Sequence, residues 1–179
     1  MKKLSSSVLV ASSLLAGTYS VDVAHSNVGF SVRHMMVSNV VGKFNEFSGT
    51  FEYDEKNNAL KALEAEVEVA SIDTSIEKRD AHLKSADFFD AQKFPKITFK
   101  ATKVEEEAVY GDLTIKGVTK NIKLNLENGG AFASKAGFSL EGKIKRSDFG
   151  ITWNQIIEAG AVAVGDEVKL KIEVEGNLQ

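Results

Sequence analysis

Between positions 63 and 69 every second residue is apolar (Leu63, Ala65, Val67, Val69), and every residue between them is a glutamate (Glu64, Glu66, Glu68). On a helix this order would scatter the glutamates around the whole circumference. On an extended chain successive side chains point to opposite faces, so the same order gives one dry face and one wet face. That rhythm of two governs most of the chain from Tyr19 onward. It recurs in Val28, Phe30, Val32 and His34; in a longer run over 40–53; in Ile97, Phe99 and Ala101; in Val109, Gly111, Leu113 and Ile115; and in Ile122, Leu124 and Leu126. Phe138, Leu140, Gly142, Ile144 and Arg146 form a seventh set, and Val168, Leu170, Ile172 and Val174 a last one. Eight antiparallel strands of modest length are expected, each with one solvated face.

The run over 40–53 changes phase near Asn45: Val40, Gly42 and Phe44 share one parity, Phe47, Gly49, Phe51 and Tyr53 the other. A bulge there would return both sets to the interior. Lys116-Gly117-Val118, Asn128-Gly129-Gly130 and Lys135-Ala136-Gly137 have turn chemistry. Eight alternating strands build either a sandwich or a closed barrel. At eight strands a barrel interior is just wide enough for packed side chains or one slim ligand. The inward phase mixes small residues (Gly42, Gly49, Ala65, Ala101, Gly111, Gly142) with phenylalanines, which tilts the reading toward a barrel with room inside. With 179 residues and no visible repeat or linker, a single domain is expected.

The alternation is interrupted over 71–99, SIDTSIEKRDAHLKSADFFDAQKFPKITF. Its pattern predicts a short helical segment carrying Arg79, Asp80 and His82, with Leu83 on the buried side. The pair Phe88-Phe89 follows, bracketed by Asp87 and Asp90, and Phe94-Pro95 breaks the structure before the next strand begins at Ile97. An insertion of this kind, between strands 3 and 4 of a regular β chain, is where a binding mouth or lid is expected.

The same segment, read as RDxHLxSxDFFDxxxFPxITF and preceded by ASIDT, resembles the hallmark of the YceI-like family of bacterial polyisoprenoid-binding proteins. Further stretches fit in the same order: DxAHSxVxFxVRHMMxSxVxGxF over 22–44, GDLTIKGVTK over 111–120 and IKRSDFGI over 144–151. The resemblance implies an all-β, eight-stranded antiparallel, lipocalin-like barrel that holds a long isoprenoid or similar lipid.

The N-terminus differs in character. Lys2-Lys3 precede a short apolar stretch over 4–15, and Ala16-Gly17 supply small residues. This reads as a secretory signal peptide over 1–17, ahead of a barrel domain over 18–179. The stretch is too short to span a bilayer, which takes about 20 apolar residues. Export would place the protein in the periplasm or outside the cell. Removing the leader deletes two of the 22 basic side chains and none of the 25 acidic ones, so the formal net charge of −3 becomes more negative. An acidic surface argues against nucleic acid as a partner. With no cysteine, disulfides, thiolate chemistry and a lipid anchor on cysteine are excluded.

Chemistry-bearing residues are few. His25, His34 and His82 share no metal-ligand spacing, so no metal site is expected. His25 reads as a turn residue. His34 has the parity of Phe30 and Val32, and serves equally as a satisfied core histidine or as a donor to a ligand head group. Arg79, Asp80 and His82 read either as a network that ties the insertion to the rim or as a cluster that receives the polar end of a lipid. Arg146-Ser147-Asp148 carries the same ambiguity. Neither a nucleophile elbow nor a phosphate loop is present, so no catalytic residue is assigned and no cofactor is expected.

The expected function is therefore non-enzymatic binding of a long apolar ligand inside the barrel: a polyisoprenoid, a quinone tail, a prenyl phosphate, or a fatty acid or amide. Wall positions are Phe30, Val32, Phe44, Phe99, Leu113, Phe138 and Trp153. Phe88 and Phe89 gate the opening, with Phe94 near them, and His34, Arg79 and His82 stand as head-group positions. The apolar connection over 153–164 is expected to line the cavity or its mouth. Two rival readings stay open: a lipid-modifying cyclase or dehydratase using His34 and an acid as a proton-transfer pair, and a filled barrel acting as an interaction module. Neither reading includes a membrane span, and a homodimer is compatible with both.

Overall fold

The computed structural model describes residues 16–156 and 162–179; the leader positions over 1–15 and part of the 153–164 connection lie outside them. The strands are β1 (Gly17–Val21), β2 (Asn27–His34), β3 (Ser38–Phe44), β4 (Phe47–Asp54), β5 (Ala59–Glu68), β6 (Ile72–Asp73), β7 (Lys96–Glu105), β8 (Ala108–Ile115), β9 (Val118–Phe132), β10 (Lys135–Lys145) and β11 (Val164–Leu178). An α-helix, α1 (Glu77–Lys84), lies between β6 and β7.

Every pairing is antiparallel, and the ring β1–β4–β5–β7–β8–β9–β10–β11 closes through Tyr19 opposite Leu178 and Val21 opposite Gly176. The fold is a closed eight-stranded barrel. β1 and β2 are two halves of one edge, both bonded to β11, and β3 and β4 are two halves of their partner. The break between β3 and β4 falls at Asn45-Glu46, where the alternation changes phase. The freed backbone is not orphaned: Asn45 N–H donates to the Ser71 carbonyl at 3.1 Å, and the Glu46 carbonyl accepts from Glu68 N–H at 2.9 Å. β5 breaks at the same level, in a 3-10 turn over Val69–Ser71, so neighbouring strands bend together and Phe44, Phe51 and Tyr53 all stay inside.

Two expected turns are moved. Asn128-Gly129-Gly130 lies within β9 and Lys135-Ala136-Gly137 within β10, and the reversal itself is at Ala133-Ser134. The glycines mark a bulge between Gly137 and Phe138, where the two backbones run close: a Cβ on Gly129 would stand 3.0 Å from the Gly137 carbonyl oxygen. Glycine in a strand interior marks either a turn or a close backbone approach, and the composition does not separate the two.

The inward glycines are filled from across the sheet. A Cβ on Gly42 would fall 2.4 Å from the Phe30 ring, and one on Gly111 would fall 2.3 Å from the Phe99 ring. The room that small residues promise is therefore taken by neighbouring phenylalanines lying flat against the wall. What remains open is the space inside those rings.

Candidate functional site

The interior has two parts. At one end Tyr19, Phe51, Tyr53, Leu60, Val109, Leu126, Ala136 and Phe138 form a dense cluster. Tyr19 stacks on Phe51 with ring centroids 5.2 Å apart, and Phe138 meets Phe51 edge-on at 5.1 Å. These rings plug the barrel. At the other end Phe44, Val67, Val69, Ile72, Phe88, Ile97, Leu113, Ile115, Phe149 and Ile151 form a second cluster beneath the insertion. A cavity of about 220 Å³ runs inside the barrel, its wall reaching from Leu124, Leu140 and Val174 to Leu83, Phe88 and Phe89 on the insertion. One water needs only about 10–15 Å³, and it also needs polar partners to stay. This space is large and nearly all of its wall is hydrocarbon, so water inside it goes largely unsatisfied.

The insertion is held as a roof by four sets of contacts. Asp80 Oδ1 accepts from both the backbone N–H and the hydroxyl of Thr74, at 2.9 and 2.5 Å. Arg79 Nε donates to Thr74 Oγ1 at 2.7 Å, and its Nη2 donates to the Thr74 carbonyl at 2.6 Å. His82 Nε2 lies 2.8 Å from Asp87 Oδ2, while its ring meets Phe88 and Trp153 edge-on at 5.0 and 4.9 Å. Phe94 covers the β8–β9 turn, where Gly117 has φ +74° and a Cβ would come within 2.8 Å of the ring. The helix has no fully buried residue; Leu83 packs partly buried against the cluster below, and these ties hold the rest.

The sequence-derived positions separate accordingly. Phe30, Val32, Phe44, Phe88, Phe89, Phe99 and Leu113 form part of the cavity wall. Phe138 does not; it belongs to the plug, because the β9–β10 bulge carries it into the closed end. Trp153 lies behind the roof, tilted against Phe88 at 5.1 Å. Arg79 and His82 are spent on Thr74 and on Asp87, outside the cavity wall, so the geometry favours the tying role for both. His34 keeps its strand parity but sits at the end of β2, opposite Ser38 and Val164 and beyond the cavity. Of the connection over 153–164, Val164 reaches the wall, and Ile156 and Val162 are exposed.

Sequence reasoning missed wall positions at Leu83, Phe149 and Ile151, and left Arg146 open between a tie and a head-group position. Phe149 ends, and Ile151 follows, a 3-10 turn over Arg146–Phe149, where period two no longer applies. Arg146 shares the inward parity of Ile144. It is 8% exposed. Its Nε donates to the Gly165 carbonyl (2.9 Å), its Nη1 to those of Ile151 and Trp153 (both 2.8 Å), and its Nη2 to that of Val164 (3.3 Å). Burial lowers its pKa from the ordinary arginine value, and the nearby Asp166 carboxylate opposes the shift.

Fold and site together define a class: a small closed antiparallel β-barrel, plugged at one end, with an apolar cavity roofed by a helical insertion at the other. Residues 19–176 match the model of the YceI-like domain, and the chain belongs to that family. It is 38% identical over 163 residues to a UPF0312 protein of Staphylococcus aureus, covering 88% of this chain and 95% of the relative. Among solved structures it is similar to the Campylobacter jejuni YceI protein, at 39% identity and a TM-score of 0.70, covering 82% of this chain and 90% of that one. Its fold is also that of a polyisoprenoid binding domain from Saccharophagus degradans, at 16% identity and a TM-score of 0.69, covering 90% and 98%. Among the described residues no helix is long and apolar enough to cross a membrane.

Proposed function

We propose that the protein is a non-enzymatic periplasmic or secreted carrier that shelters one long apolar chain in its barrel. The observation that carries this reading is the cavity of about 220 Å³ between the plug and the roof. Each CH2 moved from water into such a space contributes roughly 0.8 kcal/mol, so the wall supplies most of the binding energy. The ligand class is a polyisoprenoid, a quinone tail, a prenyl phosphate, or a fatty acid or amide; the description of the Saccharophagus domain as polyisoprenoid binding supports the first of these. The basic n-region and short apolar stretch over 1–17 support export of the barrel as a mature chain.

The enzyme alternative needs two ionisable groups converging inside the cavity. Among the described residues the wall carries one, Arg146, which favours binding over proton transfer. The test is native mass spectrometry of protein purified from its own cell envelope, with solvent extraction and N-terminal sequencing of the same sample. A lipid-mass adduct on a chain beginning near Thr18 is expected. Ligand-free protein would leave the filled barrel as the reading, and an intact Met1 on cytoplasmic protein would overturn export.

A further inference from the structure

Arg146 is a buried cation with an unusual set of partners. A guanidinium carries five N–H donors, and four backbone carbonyls accept from this one, those of Gly165, Ile151, Trp153 and Val164. All four are neutral. Among the described residues Arg146 forms no ion pair, and the Asp166 carboxylate, whose charge reaches it, is bonded instead to the N–H and hydroxyl of Ser147, at 3.0 and 2.8 Å. Among the described residues the fifth N–H, on Nη2, has no partner, and the side chain forms part of the wall of an otherwise hydrocarbon cavity.

A buried charge is ordinarily paired, because its desolvation cost is large. Carbonyl dipoles offset part of that cost here and hold the guanidinium plane in place, but they do not neutralise it. We infer that Arg146 is the polar anchor of the cavity, receiving an anionic oxygen, carboxylate or phosphate, on the end of a long apolar chain. This rests on the carrier function proposed above and gives the bound lipid a direction. The head lies at the roofed end beside Phe149 and Ile151, and the tail runs down toward the plug. It also gives the head-group role to a residue of the β10–β11 connection in place of Arg79 and His82, which form no part of the cavity wall.

The same four bonds clamp Ile151 and Trp153 to Val164 and Gly165, so a purely structural role is the competing account. The two separate on ligand preference. Delipidated wild-type protein is titrated with a carboxylic acid, a monophosphate, an alcohol and a hydrocarbon of one chain length. Charge-assisted hydrogen bonds are roughly twice as strong as neutral ones, so the acid or the phosphate should bind about tenfold or more tighter than the alcohol. Whichever anion binds tighter identifies the source, a fatty acid or a prenyl phosphate. Arg146→Lys, which keeps the charge, should retain a reduced preference, and Arg146→Met should lose it.

A second readout needs no variant. A carboxyl-labelled acid bound to the wild type should titrate by NMR below the ordinary carboxylate range, since a cation beside it favours the ionised form. Equal affinity for acid, phosphate and alcohol, or a bound acid that titrates in or above the ordinary range, would overturn the anchor while leaving the carrier intact. Binding of none of the four ligands would instead overturn both, by removing the carrier on which the anchor depends.

Discussion

The two ends of the barrel are built from the same residue types and do different things. In the plug, the Phe51 ring lies against Gly176, stacks on Tyr19 and packs edge-to-face with Phe138, and it is fully buried. At the roofed end, Phe30 lies over Gly42 and Phe99 over Gly111 in the same way, but each also forms part of the cavity wall. The polar ends differ too. Tyr19 Oη donates to Glu55 at 2.6 Å, and Tyr53 Oη donates to Asn58 at 2.7 Å while accepting from Gly130 N–H at 3.2 Å, so the plug is closed by hydrogen bonds at its rim. The roof is instead a separate segment, tied at its edges through Thr74, Asp87 and the β8–β9 turn. Aromatic content therefore does not distinguish a core from a binding wall; whether the ring borders open space does.

The largest test of that contrast is truncation at matched depth. Phe51→Ala removes a fully buried ring and should cost about 3–5 kcal/mol of stability. Phe99→Ala removes a half-buried ring that borders the cavity and should cost less than half as much in ligand-free protein, while weakening lipid retention. Denaturant melts with and without extracted lipid measure both. Equal costs in the ligand-free protein would show that the two ends are packed alike.

Filling the interior tests the same difference from the other side. Gly142 has the inward parity but no space: a Cβ there would stand 2.5 Å from Leu124 Cδ2. Gly142→Leu should therefore destabilise by about 1–3 kcal/mol through overpacking. Ala65 forms part of the cavity wall, so Ala65→Leu should leave stability unchanged or raise it while lowering the amount of lipid recovered by extraction. If Ala65→Leu destabilises as much as Gly142→Leu, the cavity behaves as packed core.

The strands, their antiparallel order, the change of phase at Asn45-Glu46 (a strand break where a bulge was expected) and the insertion were legible because each leaves a mark on a period of two or interrupts it. Parity also found Phe30, Val32, Phe44, Phe99 and Leu113, since within a strand it decides inside from outside. It could not tell depth. Phe138 and Leu140 share a phase, yet Phe138 lies in the plug, because position along the barrel axis depends on strand register and on the bulge at Gly137. Nor could parity read the partners of a charged side chain. Arg79 and Arg146 look equally suited to a head group in sequence, and only folding shows one bonded to Thr74 and the other embedded in the wall.

A smaller effect lies at the rim of the roofed end. The β2–β3 loop spans three residues, and its turn, closed by Val37 N–H on the His34 carbonyl at 3.2 Å, places two consecutive non-glycine residues at positive φ, Met35 at 51° and Met36 at 60°, where a turn with positive φ at both central positions favours Asn-Gly. Met36 and Val37 are 62% and 79% exposed, so little burial compensates. Met35→Asn combined with Met36→Gly should stabilise by about 1–2 kcal/mol in thermal or denaturant melts. No gain would mean that the methionines make up the strain through contacts with the neighbouring connection, which Met35 N–H reaches at the Ala163 carbonyl, 2.9 Å away.

The last test acts on the plug and vanishes at neutral pH. Burial, reinforced by the hydrogen bond to Glu55, pushes the Tyr19 phenol from its ordinary value of 10 up to about 12, and burial also raises Tyr53. A raised pKa in the folded state means that the stabilisation is fully present below about pH 10, where both states keep the proton. Above that, the unfolded chain ionises first, and stability falls as pH rises toward about 12. Tyrosinate absorbance of the native protein should show Tyr19 titrating late, and unfolding midpoints should fall through the same window. Tyr19→Phe removes the ionisation and should flatten that fall, whereas Phe30→Leu at the roofed end should leave its slope unchanged. A Tyr19 phenol that titrates near 10 in the folded protein, with an alkaline slope unaltered by Tyr19→Phe, would mean that water reaches the plug and that this end of the barrel is not the sealed one.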